Sequence, residues 1–475
     1  MKNKIFILVA AAVFGISSHG IAQTKMTLRQ CIETGLANNL DVLRGQLQAQ
    51  TDKITMNQQK LNLLPDLNGA VGQTWSQGRS IDPYSNSPVT QSVSSSNYSI
   101  SSGVVIFNGL SRINAIKQYS LAYEASKMDW QQIKDNLTIN IILAYLQVLN
   151  NEELLNQAKN QADLSGKQVE RLDLLNKEGA IKPSDLSDLK GQYATDQLSI
   201  INQQNALETA KISLAQLLNI PYSQSIDLEP ITLDSPEVKY AEGPDQVYQN
   251  ALKNLAIIKA VDLRQQSAAK AVKVQRGLLY PRLTFGVGAS TAYSSVAKQS
   301  AFLNRSYVAS PDSALVNNVK YPVYKFQDNF GPATKIGFQD QLDNNVQTYY
   351  GFNLSIPLFS SLTQRNNVKK AKVNLKLAEF TAQTTRTQLN QNVNQAYINM
   401  SSASDRFKAI TDQVSAFSES FRSAEIRFTE GVFNSVEYLT VKNSIDRANI
   451  NLINAKYDYV LRVKVLDYYE GKPLW

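Results

Sequence analysis

Few residues of this chain could do covalent chemistry. The single histidine, His19, lies within the first 22 residues, and the single cysteine is Cys31. No Gly-x-Ser-x-Gly, phosphate-binding glycine loop or metal-ligand spacing occurs. The expectation is therefore a protein that is not an enzyme, with no catalytic, cofactor or metal site. Cys31 cannot form an internal disulfide. It also lies too far past the N-terminal apolar run to carry a lipid, so a small buried apolar side chain is expected. The acids with a definite setting are Asp185 and Glu437. Each follows a glycine by six residues, Gly179 and Gly431, and each precedes an apolar or aromatic residue, Leu186 and Tyr438. An acid such as Asp185 in the first turn of a helix interacts well with the helix dipole.

Very long helices must position these acids. Residues 360–430 contain neither Gly nor Pro. A continuous helix of that length would reach roughly 105 Å at about 1.5 Å per residue. Steps of seven give Val368, Leu375, Ala382, Leu389, Ala396, Ala403, Ile410, Phe417 and Ala424, and a second row gives Val393, Met400, Phe407, Val414, Phe421 and Phe428. Alternating steps of three and four are a coiled-coil seam. Subtracting 252 recovers the same rod in Leu137, Ile141, Ala144, Val148, Leu155, Ala158, Ala162, Val169 and Leu172. Ala144-Tyr145 aligns with Ala396-Tyr397, and Glu178-Gly179 with Glu430-Gly431, without a gap. This reads as an internal duplication.

Residues 1–22 have the form of a secretory signal: Lys2 and Lys4, an apolar run over 5–16, and a small-x-Ala ending at Ala22. Twelve apolar residues are too few to span a bilayer as a helix, so any membrane crossing is expected to use strands. Without Lys2 and Lys4 the net charge falls from +8 to +6, and basic residues are scattered. A nucleic-acid surface would need a basic stripe, so no nucleic-acid partner is expected.

In chain order, residues 27–60 read as one helix with Leu28, Cys31, Ile32, Leu36, Leu40 and Leu43 inward and Thr27 as cap. Pro65 ends it. Strands are predicted over 66–76 and 98–107, the second with Tyr98, Ile100, Val104 and Ile106 on one face, and an exposed loop over 77–97. The first rod, a turn at 178–183 and a return helix to about 218 follow. Repeat one thus covers 26–220 and a proline-rich connector 221–244. Repeat two, 245–470, has strands over 282–293 and 348–359 and a longer surface loop over 294–347. Each strand has one apolar face and one small or polar face, which suits a tilted transmembrane strand. Four strands cannot close a barrel, and open edges in lipid are prohibitive. A barrel shared among copies is the solution.

Over essentially the whole of residues 26–475 the chain resembles the TolC family of outer-membrane efflux ducts. The resemblance rests on the duplicated helix–strand–strand–helix order, the breaks at Pro65 and Pro281, the turns at Phe107-Asn108-Gly109 and Pro357-Leu358-Phe359, and the glycine-centred helix turns. It implies a mainly α fold with a small β part: a long helical coiled-coil barrel and a transmembrane β-barrel shared by a homotrimer, together forming one duct over 23–475. The connector and the C-terminal segment would form an equatorial girdle. The implied role is passive conduction to the exterior from the outer membrane and periplasm. Implied partners are outer-membrane lipid, a periplasmic adaptor (membrane fusion protein) and an inner-membrane RND or ABC pump. The resemblance makes Asp185, Glu437, Phe428 and Phe433 gate candidates, and Gly179, Leu186, Gly431 and Tyr438 adaptor-contact tips. Phe433 stands where a gate arginine is expected and Thr440 where a second acid is expected, which implies a more apolar latch. The alternative is a periplasmic coiled-coil adaptor or scaffold, which would carry one helical hairpin rather than two.

Overall fold

A computed structural model describes residues 25–81, 86–222, 226–231, 240 and 242–472. The signal-like residues 1–22 and much of the connector lie outside the described residues. The chain divides into two units. One comprises residues 1–54, 119–268 and 374–475, and the other 55–118 and 269–373.

The elements are α1 (Leu28–Asn38), α2 (Leu40–Leu61), β1 (Asp66–Ser76), β2 (Arg79–Ile81), β3 (Pro88–Thr90), β4 (Val93–Asn108), α3 (Ser111–Lys177) and α4 (Pro183–Leu218). There follow α5 (Pro244–Asn254), α6 (Ala256–Gly277), β5 (Arg282–Ser294), β6 (Lys298–Gln299), β7 (Phe302–Val316), β8 (Val319–Phe330) and β9 (Thr334–Lys335). The chain ends with α7 (Phe338–Asn344), β10 (Gln347–Ser355), α8 (Thr363–Thr429) and α9 (Ser435–Glu470). Helices α3 and α8 have 67 residues each, and α4 and α9 have 36 each. Both pairs begin and end at the 252-residue offset. Backbone exceptions recur at that offset too: Gly109 with Ser361, Leu110 with Leu362, Gly179 with Gly431 and Asn219 with Gly471 all have positive φ. Corresponding joints therefore use the same backbone solution even where the side chains differ.

In the helical unit, most seam residues are buried, among them Ile141, Val148, Leu155, Ala382, Val393 and Ala403. Thr27 caps α1 with a reciprocal bond to Gln30. The single helix expected over 27–60 is instead two, broken at Asn39. Its carboxamide oxygen accepts from the Asp41 N–H at 2.9 Å, and its Nδ2 donates to the Leu217 carbonyl at 3.3 Å. The break turns Leu40 and Leu43 outward and Val42 inward, against the predicted face. Cys31 is buried as expected, and burial pushes its thiol pKa up to about 11. Leu228 of the connector pairs with Met26 through a parallel bridge, and the Tyr145 hydroxyl donates to the Glu229 carbonyl at 2.6 Å.

The other unit is built on one antiparallel sheet in the order β1-β4-β5-β10. At the joint from β4 into α3, a Cβ on Gly109 would lie 2.2 Å from the Gly277 carbonyl, so only glycine fits. A bulge between Val105 and Phe107 places Phe107, not Ile106, opposite Leu283. This corrects the predicted face of that strand end. The segment 294–347 is not an irregular loop: it holds the β7–β8 hairpin and α7. Fully buried Gln341 fastens its base, accepting from Ser294 N at 2.8 Å and donating to the Ser294 carbonyl at 3.0 Å. The expected loop 77–97 likewise contains the short β2–β3 hairpin.

Candidate functional site

Two surfaces carry the functional reading: the turns that join the long helices, and the two faces of the sheet. At each turn a glycine adopts left-handed φ, +70° at Gly179 and +73° at Gly431, which lets the helix end in one residue. Pro183 opens α4, and Asn434 caps α9.

Between the turns lies a small apolar cluster of Leu172, Leu186, Leu189, Phe428 and Tyr438, flanked by Phe421 and Phe433. The Phe428 and Tyr438 rings stack with centroids 4.4 Å apart. Phe433 receives the Arg427 guanidinium over its face at 5.3 Å, a cation–π contact. Leu186 and Tyr438 are buried in this cluster. Their side chains pack the two turns against each other. The large exposed apolar residues around the turns are Leu174, Ile426, Val432 and Val436.

The two acids differ in their occupation. Buried Ser435 lies with its hydroxyl 2.9 Å from Asp185 Oδ1 and 2.7 Å from Asp188 Oδ2, tying α9 to α4. One hydroxyl proton serves two carboxylates, so the two contacts share it. Glu437 is engaged in its own helix: its Oε2 accepts from Asn434 N at 2.9 Å, completing a capping box. A further cross-link joins α3 to α8, where Arg171 donates to the Thr429 hydroxyl at 3.0 Å and carbonyl at 2.7 Å.

Sequence reasoning missed a buried polar cluster in the same helices. Lys442 of α9 is fully buried, with its ammonium 3.1 Å from Asp196 of α4 and 2.7 Å from Asp446. The Ser165 hydroxyl of α3 lies 2.6 Å from the same Asp196 oxygen. Asp196 stands one heptad after Leu189 and two before Ala210 in α4, both buried apolar residues. A polar residue in an apolar row was the available signal.

On the sheet, cross-strand pairing places Leu67, Val71 and Trp75 of β1 on one face with Tyr98, Ile100 and Val104 of β4, Leu283, Phe285 and Val287 of β5, and Tyr350, Phe352 and Leu354 of β10. Phe285 and Phe352 pack at 5.0 Å. Val71, Trp75, Tyr350 and Phe352 are 69–82% exposed. The opposite face carries Asn68, Gly72, Asn97, Ser99, Ser101, Gly103, Gly286 and Gly351. A soluble sheet would cover so large an apolar face. No helix among the described residues is long and apolar enough to cross a membrane.

Residues 247–469 match the family model for outer membrane efflux proteins. That match covers the second of the two repeats. It is 22% identical to outer membrane protein TolC of Escherichia coli over 97% of this chain and 85% of that protein. The TolC protein of Salmonella enteritidis is also 22% identical, over 99% of this chain and 86% of that protein. Among solved structures, the outer membrane protein VceC of Vibrio cholerae matches with a TM-score of 0.74 at 16% identity, covering 94% of this chain and 97% of that one. The open state of the Neisseria gonorrhoeae MtrE outer membrane channel matches at 0.72 and 14% identity, covering 94% and 89%. As an outer membrane efflux protein, this chain is a channel rather than an enzyme. Its mainly helical fold with a small β part is that of the TolC type.

Proposed function

We propose that three copies of this chain close one twelve-stranded barrel in the outer membrane and conduct cargo passively along its polar face. One observation carries this reading: among the described residues, a four-stranded sheet has an uncovered apolar face and two unpaired edges, β1 and β10. Unpaired backbone groups in lipid cost several kcal/mol each. Pairing β1 of one copy with β10 of the next removes the edges.

The helical turns form the gate in this reading. The Ser435 bonds to Asp185 and Asp188 and the Arg171 bonds to Thr429 hold the two hairpins together, and the Phe428–Tyr438 stack fills the space between them. Glu437 serves mainly as a helix cap, so Asp185 is the acid that latches. A periplasmic adaptor would engage Leu174, Val432 and Val436 around Gly179 and Gly431 and thereby part the hairpins. An inner-membrane pump would supply the energy, since nothing in the channel reading requires chemistry by this chain.

The test is to place cysteine pairs along β1 and β10 in a Cys31→Ala background and oxidise the detergent-extracted protein. Crosslinked species of three chains are expected. A monomer extracted without detergent would overturn the proposal.

A further inference from the structure

One arginine on the polar face of the sheet and one in the helix that follows β4 have no ion-pair partner among the described residues. Arg282 is the first residue of β5, and Arg112 sits in the first turn of α3. Both line one cavity of about 760 Å³, whose wall includes Asp66, Gly103, Thr284, Gly286 and Gly351. The charge that acts on Arg112 is that of Arg282; burial first, and this like charge second, lower its pKa from the ordinary arginine value.

The setting is built. Arg112 donates to the Asn62 carbonyl, and its N–H donates to Asn108 Oδ1 at 3.4 Å. The one carboxylate in the wall, Asp66, accepts from the Gly103 N–H at 2.7 Å. Strand alternation decides which way the cavity faces. Arg282, Thr284 and Gly286 share the face opposite Leu283, Phe285 and Val287. Glycines at 103, 286 and 351 place no side chain over the cavity. Two guanidinium groups that line one concave site of mixed polar and apolar residues, outnumbering its one acid, attract an anion and raise its local concentration. Each also presents a fork that fits carboxylate or phosphate oxygens.

We infer that Arg112 and Arg282 form an anion-binding step on the conducting face of the sheet, which takes the carboxylate or phosphate groups of passing cargo. This rests on the channel reading, because that reading makes the polar face the conducting one. The step adds a selectivity that the acidic turns do not have.

The test reads the local field directly. Thr284→Cys, in a Cys31→Ala background, is reacted with anionic sulfonatoethyl and cationic trimethylammonioethyl methanethiosulfonate in membranes. The anionic reagent is expected to gain about tenfold over the cationic one, relative to a free thiol, as a focused potential gives. Arg112→Gln with Arg282→Gln should return the ratio to that of the free thiol, and each single change should give an intermediate ratio. A ratio that ignores the arginines overturns the inference, as does a Thr284→Cys that neither reagent reaches. Val287→Cys, on the apolar face, separates this from the channel reading. It should resist both reagents in membranes, and if it reacts as fast as Thr284→Cys, the channel reading fails whatever the charge ratio.

Discussion

The ammonium of Lys442 lies 3.1 Å from the Asp196 carboxylate, and both are buried between helices of different repeats. Asp446 adds a second carboxylate at 2.7 Å. Removing the cation leaves two acids inside a packed helical wall. Lys442→Met is expected to destabilise the helical unit by about 3–5 kcal/mol, the cost of breaking a buried pair from one side. Adding Asp196→Leu to that change should recover part of the loss. Thermal melting of the detergent-solubilised protein measures both, and equal melting of Lys442→Met and parent would remove the cluster from the stability argument.

Burial raises the Asp446 carboxyl pKa above its ordinary value, and the attraction of Lys442 offsets this only in part. A raised carboxyl favours the protonated folded state. Its contribution is therefore fully present below the ordinary carboxylate pKa and is lost as pH rises through the folded value. The parent should gain stability relative to Asp446→Asn as the pH is lowered through that window. Denaturant midpoints of the two proteins across pH would show parallel curves if Asp446 plays no part.

Among the described residues, the Ser435 hydroxyl is the donor that joins α9 to Asp185 and Asp188. Ser435→Ala should loosen the turns, because hydrogen bonds to charged groups contribute about 1.5–3 kcal/mol and these acids are only partly shielded. In planar bilayers the single-channel conductance should rise. Glu437→Gln should change it little, since a glutamine can still cap Asn434. The reverse order of effects would return the latch to Glu437.

Tyr438 is fully buried against Phe428. Tyr438→Ala should cost about 3–5 kcal/mol through the cavity it leaves, and it should raise protease sensitivity at the turns. Resistance equal to the parent would show that the stack does not hold them.

Cys31, with a thiol pKa near 11 and no exposure, should resist iodoacetamide at pH 8 in the folded protein and react on unfolding. Labelling followed by mass measurement checks this.

Much of the architecture was legible because the heptads and the two-residue alternation are local patterns, and a duplication repeats them. The row from Ala382 through Leu389, Ala396 and Ala403 could be read from spacing alone, and burial follows it. The break at Asn39 could not, because its stabilising partner is the Leu217 carbonyl, 178 residues away. Nor could the bulge before Phe107, which depends on how β4 meets β5. At the turns, Gly179 and Gly431 announced themselves, since positive φ is a demand that one residue meets by itself. The working partner of Asp185 did not, because Ser435 is 250 residues distant.

The sequence by itself determined the periods: helices too long for an ordinary core, strands with one apolar face, and the same plan twice. Periodicity is a property of neighbours along the chain, so it needs no fold to be read. Only the tertiary structure decided which polar groups meet: Lys442 with Asp196, Ser435 with Asp185, Arg112 beside Arg282. A hydrogen bond or an ion pair acts over a few ångströms of space, and separation along the chain carries no record of it.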